Sequence, residues 1–322
     1  MSKNMDGMLD FKQKQQEVFM RIKHVARMFS IVSIIIGFMV TQSYGATSSI
    51  VRLAYVEWSS EIASTHLVQA IIQEKMGKIC HILPMEADEM WEAVARGTVD
   101  AMVSAWLPET QGKLYAKYKG QVDNLGPNLE NARVGLVVPN ITVGRQTMGT
   151  GLRNKPYITT NSITELPEYG RKFKGKIIGI DPEAGVMERT REAITAYGLN
   201  QYRLISGSEV SMTAELSNAI RKQRWIVVTG WIPHWMFGRW NLKFLEDPKK
   251  VYGSNENIST IARKGLKKDM PVVYRFLDRF NWDAKSMDQL MVWIKDDDSM
   301  YPYEKALRWI RYNQDQVNSW LQ

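Results

Sequence analysis

The chain has 322 residues, 44% of them hydrophobic and 24% charged, and a net charge of +8. This is a globular composition, long enough for two domains and unlike a disordered chain. The basic residues form no dense run interleaved with aromatics, which argues against a nucleic-acid binder, and a single cysteine, Cys80, excludes an intrachain disulfide.

At the N-terminus, Arg21, Lys23 and Arg27 precede an apolar stretch from Met28 to Val40. It is short of the ~20 residues of a membrane span and has the length of a signal-peptide core. Ser43-Tyr44-Gly45-Ala46 then supplies small residues for cleavage after Gly45 or Ala46, so residues 1–46 read as a signal peptide. Met20 opens a compact Met-Arg-Ile-Lys start of its own, and an uncleaved anchor is the rival reading. Cys80 lies far from the cleavage region and so is not the lipidated residue of a lipoprotein; it reads as buried filler. An exported chain with neither disulfide nor lipid anchor fits the periplasm.

After this segment strands and helices alternate. Ile50–Val56 is predicted as a strand, Glu61–Met76 as a helix capped by Ser59 or Ser60, Lys78–Met85 as a strand, Ala87–Ala95 as a helix, and Val99–Ser104 as a strand ending at Trp106. Arg133–Pro139 is a further strand leading out of the first domain, and 140–160, rich in Gly, Thr, Asn and Arg, reads as a loop or insertion. A second unit follows: strand Lys176–Ile180, turn Asp181–Gly185, helix Val186–Tyr197, strand Tyr202–Ile205, helix Ser211–Lys222 and strand Trp225–Thr229. Beyond Leu242 come short strands and amphipathic helices, including 270–279, 286–295 and 303–321. This order implies parallel sheets with crossover helices, in two α/β lobes: 47–138, then 139–232, with 233–322 returning to the first. A cleft between such lobes closes over a ligand by hinge motion.

Eleven tryptophans punctuate this pattern, several of them where an apolar strand gives way to a polar loop: Trp58, Trp106 and Trp231. That position faces the crevice in which α/β proteins bind ligands. Convergent indole faces with no acid beside them suit a quaternary ammonium, held by cation–π attraction. Trp91, Trp225, Trp235, Trp240, Trp293, Trp309 and Trp320 read as packing, His66 and His81 as helix-face and strand residues, and Asp296-Asp297-Asp298 as a solvated turn. No nucleophile elbow, Cys/His pair, metal spacing or Gly-rich phosphate loop appears, so neither an enzyme nor a cofactor is expected.

Ala54-Tyr55-Val56-Glu57-Trp58, Ser104-Ala105-Trp106-Leu107-Pro108, Gly179-Ile180-Asp181-Pro182-Glu183-Ala184-Gly185, Gly230-Trp231-Ile232-Pro233-His234-Trp235-Met236-Phe237 and Leu242-Lys243-Phe244-Leu245-Glu246-Asp247-Pro248 occur in this order, with Trp309-Ile310 and Trp320-Leu321 near the end. Together they resemble the substrate-binding proteins of glycine betaine/proline betaine ABC transporters, the OpuAC-like group. The resemblance covers nearly the whole chain after the signal. It implies a two-lobed type II periplasmic-binding-protein fold with the ligand between the lobes, and delivery of a betaine to the permease and ATPase subunits of an ABC importer by a monomeric protein. It also implies a box of aromatic rings around the trimethylammonium head, carried over to Trp106 and Trp231, with Trp282 as third wall and Trp58 as a fourth wall or a residue packed behind the site. The backbone N–H groups of Glu61 and Ile62 would meet the carboxylate, and His234 stands in for a histidine that relatives carry a few residues after the third tryptophan. Ser59 and Ser60 follow Trp58 where choline-binding relatives bring an acid, which favours betaines. Choline, carnitine and dimethylsulfoniopropionate share the cationic head and remain alternatives, as does a membrane-tethered solute sensor.

Overall fold

A computed structural model describes residues 50–142, 156–254, 256–298 and 300–322. The expected signal peptide, the Met20 start and most of the 140–160 loop lie outside these residues.

Strand β1 (Val51–Tyr55) alternates an outward Arg52 with buried Val51 and Leu53 and runs into helix α1 (Ser59–Glu74). Strand β2 (Cys80–Pro84) pairs parallel to β1 from Cys80, which is buried as expected, and forms the edge of the sheet. Helix α2 (Ala87–Arg96) stops at Gly97, whose φ of +73° gives the left-handed cap that glycine adopts without steric cost. Strand β3 (Ala101–Leu107) is buried along its whole length, as an inner strand covered on both faces must be. After helix α3 (Gly112–Tyr118) comes β4 (Val122–Pro139), an 18-residue strand longer than the predicted Arg133–Pro139.

The second half of the chain holds β5 (Lys176–Ile178), α4 (Gly185–Ala196), β6 (Arg203–Ile205), α5 (Glu209–Arg221), β7 (Val228–Ile232), α6 (Trp235–Arg239) and β8 (Leu242–Phe244). Strand β9 (Glu256–Arg263) then leads to α7 (Leu266–Asp269), α8 (Pro271–Arg279), α9 (Ala284–Asp296), α10 (Pro302–Tyr312) and α11 (Gln314–Leu321).

The sheet order is β2-β1-β3-β9-β4-β7-β5-β6, with β8 also on β4. The long β4 joins two lobes. Its Val122–Ala132 half pairs with β9, and its Arg133–Pro139 half with β7 and β8. The first lobe is therefore β1–β3, β9 and the start of β4; the second is the end of β4 with β5–β8. The return to the first lobe comes later than the expected 233, because β8 stays paired with Val137–Pro139 and Phe237 stacks on Phe244 at 5.2 Å. Helix α1 lies between the first sheet and helices α9 and α10. It is therefore buried on several sides and lacks a single apolar stripe.

The lobes touch where α6 packs on α9 and along a second seam beside α4. Arg189 of α4 donates to the backbone oxygen of Glu109 at 2.7 Å and to its carboxylate at 3.1 Å, and Lys113 pairs with Glu188.

Candidate functional site

Three tryptophans from three separate chain segments meet at this seam. Trp58 follows β1, Trp106 lies in β3 and Trp231 in β7. Both Trp106 and Trp231 precede a residue joined to proline by a cis peptide bond, Leu107-Pro108 and Ile232-Pro233. The three indoles line one pocket, together with Thr110, Val134, Ile180, Ala184, Gly185 and Val186. No charged side chain lines it.

Trp282 is not among these walls. It packs edge-on against Trp309, ring centres 5.8 Å apart, and beside Phe280 at 5.9 Å, while its backbone N–H donates to the backbone oxygen of Asn128. Trp309 and Trp320 stack in the same cluster. The C-terminal helices need a large apolar group here, and that need claims Trp282 for the core.

The start of α1 is also occupied differently from expectation. The Ile62 N–H donates to the oxygen of Trp58 at 2.8 Å, and neither Glu61 nor Ile62 lines the cavity. The Ser59 N–H donates to Glu209 Oε2 at 2.9 Å, and the Ser59 hydroxyl donates to Glu209 Oε1. A helix N-terminus attracts an anion through its free N–H groups and its dipole. Here the chain supplies its own carboxylate from the first residue of α5. His234 belongs to this arrangement rather than to the cavity: it is fully buried, its Nδ1 accepts from the Met236 N–H, and its Nε2 stands 3.1 Å from Glu209 Oε1 but poorly aligned for a hydrogen bond. The Trp235 indole N–H also reaches Glu209, at 3.2 Å.

Glu209 ties the lobes together. Burial would raise its pKa, but the nearby His234 and the Ser59 donors outweigh burial and hold it at about 2. A carboxyl depressed from 4.5 in this way adds stability above its unfolded value and loses it as pH falls towards 2. We expect Glu209→Gln to cost about 2 kcal/mol at pH 7. Thermal unfolding from pH 7 to pH 3 should show the gap between wild type and variant narrowing; a constant gap would refute this assignment.

Two of the residues that line the pocket, Gly185 and Val186, belong to the start of α4. Gly185 and Val186 open that helix with no side-chain cap, and neither N–H has an acceptor among the described residues. Free N–H groups at the start of a helix attract an anion. Sequence reasoning marked the Asp181–Gly185 turn but assigned the anion to α1. Both helices follow a strand and lack a local cap. What separates them is Glu209, which takes the Ser59 N–H of α1 from 150 positions away, while the Glu61 N–H, like those of Gly185 and Val186, has no acceptor among the described residues.

Two walls are pinned from behind. Trp106 donates its indole N–H to Glu61 Oε1 at 2.8 Å, and Trp58 donates to Asp181 Oδ2 at 2.9 Å. Glu61 is 1% exposed, and its Oε2 has no partner.

The family described as "Substrate binding domain of ABC-type glycine betaine transport system", OpuAC, matches residues 49–312. The glycine betaine/carnitine transport binding protein GbuC of Listeria monocytogenes is 46% identical over 155 residues, 48% of this chain and 51% of that protein; the match thus spans about half of that relative's length. Lactococcal OpuAC, solved closed and complexed with glycine betaine, superposes with a TM-score of 0.74 at 39% identity, covering 85% of this chain and 99% of that one. The glycine/betaine/L-proline-binding protein ProX of Borrelia burgdorferi gives 0.75 at 33% identity, over 85% and 97%.

Proposed function

The chain belongs to the OpuAC family, the substrate-binding domains of ABC-type glycine betaine transport systems, and from that premise we propose that it captures glycine betaine in the cavity between its lobes and delivers it to an ABC importer. It is an extracytoplasmic transport protein, not an enzyme. In the same proposal residues 1–46 are a cleaved export signal, and the mature protein is a periplasmic monomer without a lipid anchor that docks on a permease driven by its ATPase subunits. Among the described residues no helix is long and apolar enough to cross a membrane.

One observation carries the ligand assignment: three indoles from both lobes line one pocket without charged walls, and the same pocket is lined by Gly185 and Val186, whose N–H groups have no acceptor among the described residues. Glycine betaine has no N–H to donate, so acceptors cannot select its cation, whereas indole faces attract it at about 0.5–2 kcal/mol each. In this assignment Trp58, Trp106 and Trp231 surround the trimethylammonium, and the Gly185 and Val186 amides hold the carboxylate at about 1.5–3 kcal/mol each. Together these contributions span about 4.5–12 kcal/mol before ordering costs, a range that contains the roughly 8 kcal/mol of micromolar binding, so the cleft has to be pre-shaped for those costs to stay small.

Calorimetric titration with glycine betaine, proline betaine and choline tests this. Choline carries a hydroxyl where betaines carry a carboxylate, so it leaves the α4 amides without their anion. We expect both betaines to bind at least tenfold tighter than choline. Equal or tighter choline binding would remove the carboxylate from Gly185 and Val186, and no binding by any of the three would remove the ammonium from the box.

A further inference from the structure

Glu61 is a poor choice if its only task is to fix a ring. It is a carboxyl buried in the first lobe with one oxygen unpartnered, and burying an unpaired charge is costly. A neutral amide oxygen would receive the Trp106 N–H equally well. The same device recurs on a second wall, where Asp181, from the other lobe, receives the Trp58 N–H. Neither carboxyl lines the cavity; each stands one indole away from it. An anion at the indole N–H makes the ring face more negative, and its own charge adds a long-range pull that a low-dielectric surrounding screens weakly.

Given the betaine-binding reading above, we infer that Glu61 and Asp181 are cation-selecting residues that act through the Trp106 and Trp58 indoles without touching the ligand. A cavity with no acid in its wall thereby discriminates a quaternary ammonium from a neutral group of the same shape. They are positioning residues that set the charge of the box as well as its geometry.

Burial brings the Glu61 carboxyl up to about 7, against the donors Trp106, Ser104 and Ser60, which favour the anion, while the charge of Glu209, itself beside His234, opposes it. A bound cation favours the ionised form. Affinity for glycine betaine therefore rises as pH increases through neutrality, with protons released on binding.

The test pairs glycine betaine with 3,3-dimethylbutanoate, which keeps the shape and the carboxylate and replaces the charged nitrogen by carbon. Both are titrated into the wild-type protein, Glu61→Gln and Asp181→Asn, whose amide oxygens still accept the indole N–H. We expect Glu61→Gln to weaken glycine betaine about tenfold or more, to leave the isostere within about twofold, and to flatten the affinity profile between pH 6 and 8. Asp181→Asn, at a wetter position, should show a smaller shift in the same direction. If the isostere binds below detection, the pH profile decides; if Glu61→Gln does not fold, Asp181→Asn and the wild-type profile decide. Equal losses for both ligands, or none, with a flat wild-type profile, would overturn the inference while leaving the betaine site standing. Failure of the wild-type protein to bind glycine betaine would instead overturn the site itself.

Discussion

Trp231→Ala should weaken glycine betaine binding at least 100-fold while the protein stays folded. Removing one indole takes away a face worth up to about 2 kcal/mol. It also opens the box to water, which hydrates the cation and screens the remaining faces. A 100-fold loss corresponds to about 2.8 kcal/mol, within reach of the two effects together. Trp106→Ala should lose at least as much affinity and cost stability as well, because Glu61 then keeps its buried carboxyl without its 2.8 Å donor. Trp282→Ala is the contrasting case. It empties a packed position between Phe280 and Trp309, so we expect about 3 kcal/mol of stability to go and affinity below the melting temperature to change less than threefold. Calorimetric titration with parallel thermal unfolding measures both quantities. Near-normal binding by Trp231→Ala, or lost binding by a folded Trp282→Ala, would dissolve the three-walled box.

The contrast between Trp231 and Trp282 shows what the sequence can reveal. Trp58, Trp106 and Trp231 were legible because each ends or follows an apolar strand, and strand ends point to the crevice. Trp282 also stands at the end of an element, after α8, but its fate depends on α10 and α11, which fold back over it from later in the chain. The buried strands β1, β3 and β7 announce themselves as apolar runs. The first half of β4, Val122–Ala132, does not: it contains Gly126 and Pro127, and its register against β9 shifts three times. It is a strand because β9 lies beside it, and that pairing is a tertiary fact. Glu209 is of the same kind. Nothing local marks the first residue of α5 as a carboxylate that meets the start of α1; that contact, like the pairing of β4 with β9, is made only by the folded chain.

Gly185→Ala should reduce affinity by 100-fold or more without harming the fold, although it adds one methyl group at the start of a helix. A Cβ at Gly185 would lie 2.4 Å from the backbone oxygen of Thr110 and 2.4 Å from its Cγ2. Thr110 belongs to the first lobe and Gly185 to the second, so the clash falls on the closing seam. Thr110 has little room to retreat: its N–H donates to Glu256 Oε1 at 3.1 Å and its hydroxyl to Oε2 at 2.9 Å. The relief left to the protein is to part the lobes, which draws Trp231 and the α4 amides away from Trp58 and Trp106. With the lobes apart nothing meets the methyl, and alanine in a helix is favoured over glycine by about 0.5–1 kcal/mol. Melting temperature should therefore hold or rise while binding falls, a combination that general damage to the protein does not produce. Small-angle scattering should show wild type contracting on addition of glycine betaine and the variant keeping its dimensions. Thr110→Ser would not rescue it, because the offending carbonyl belongs to the backbone. A Gly185→Ala protein that binds and contracts normally would mean that the lobes do not need this contact to enclose the ligand.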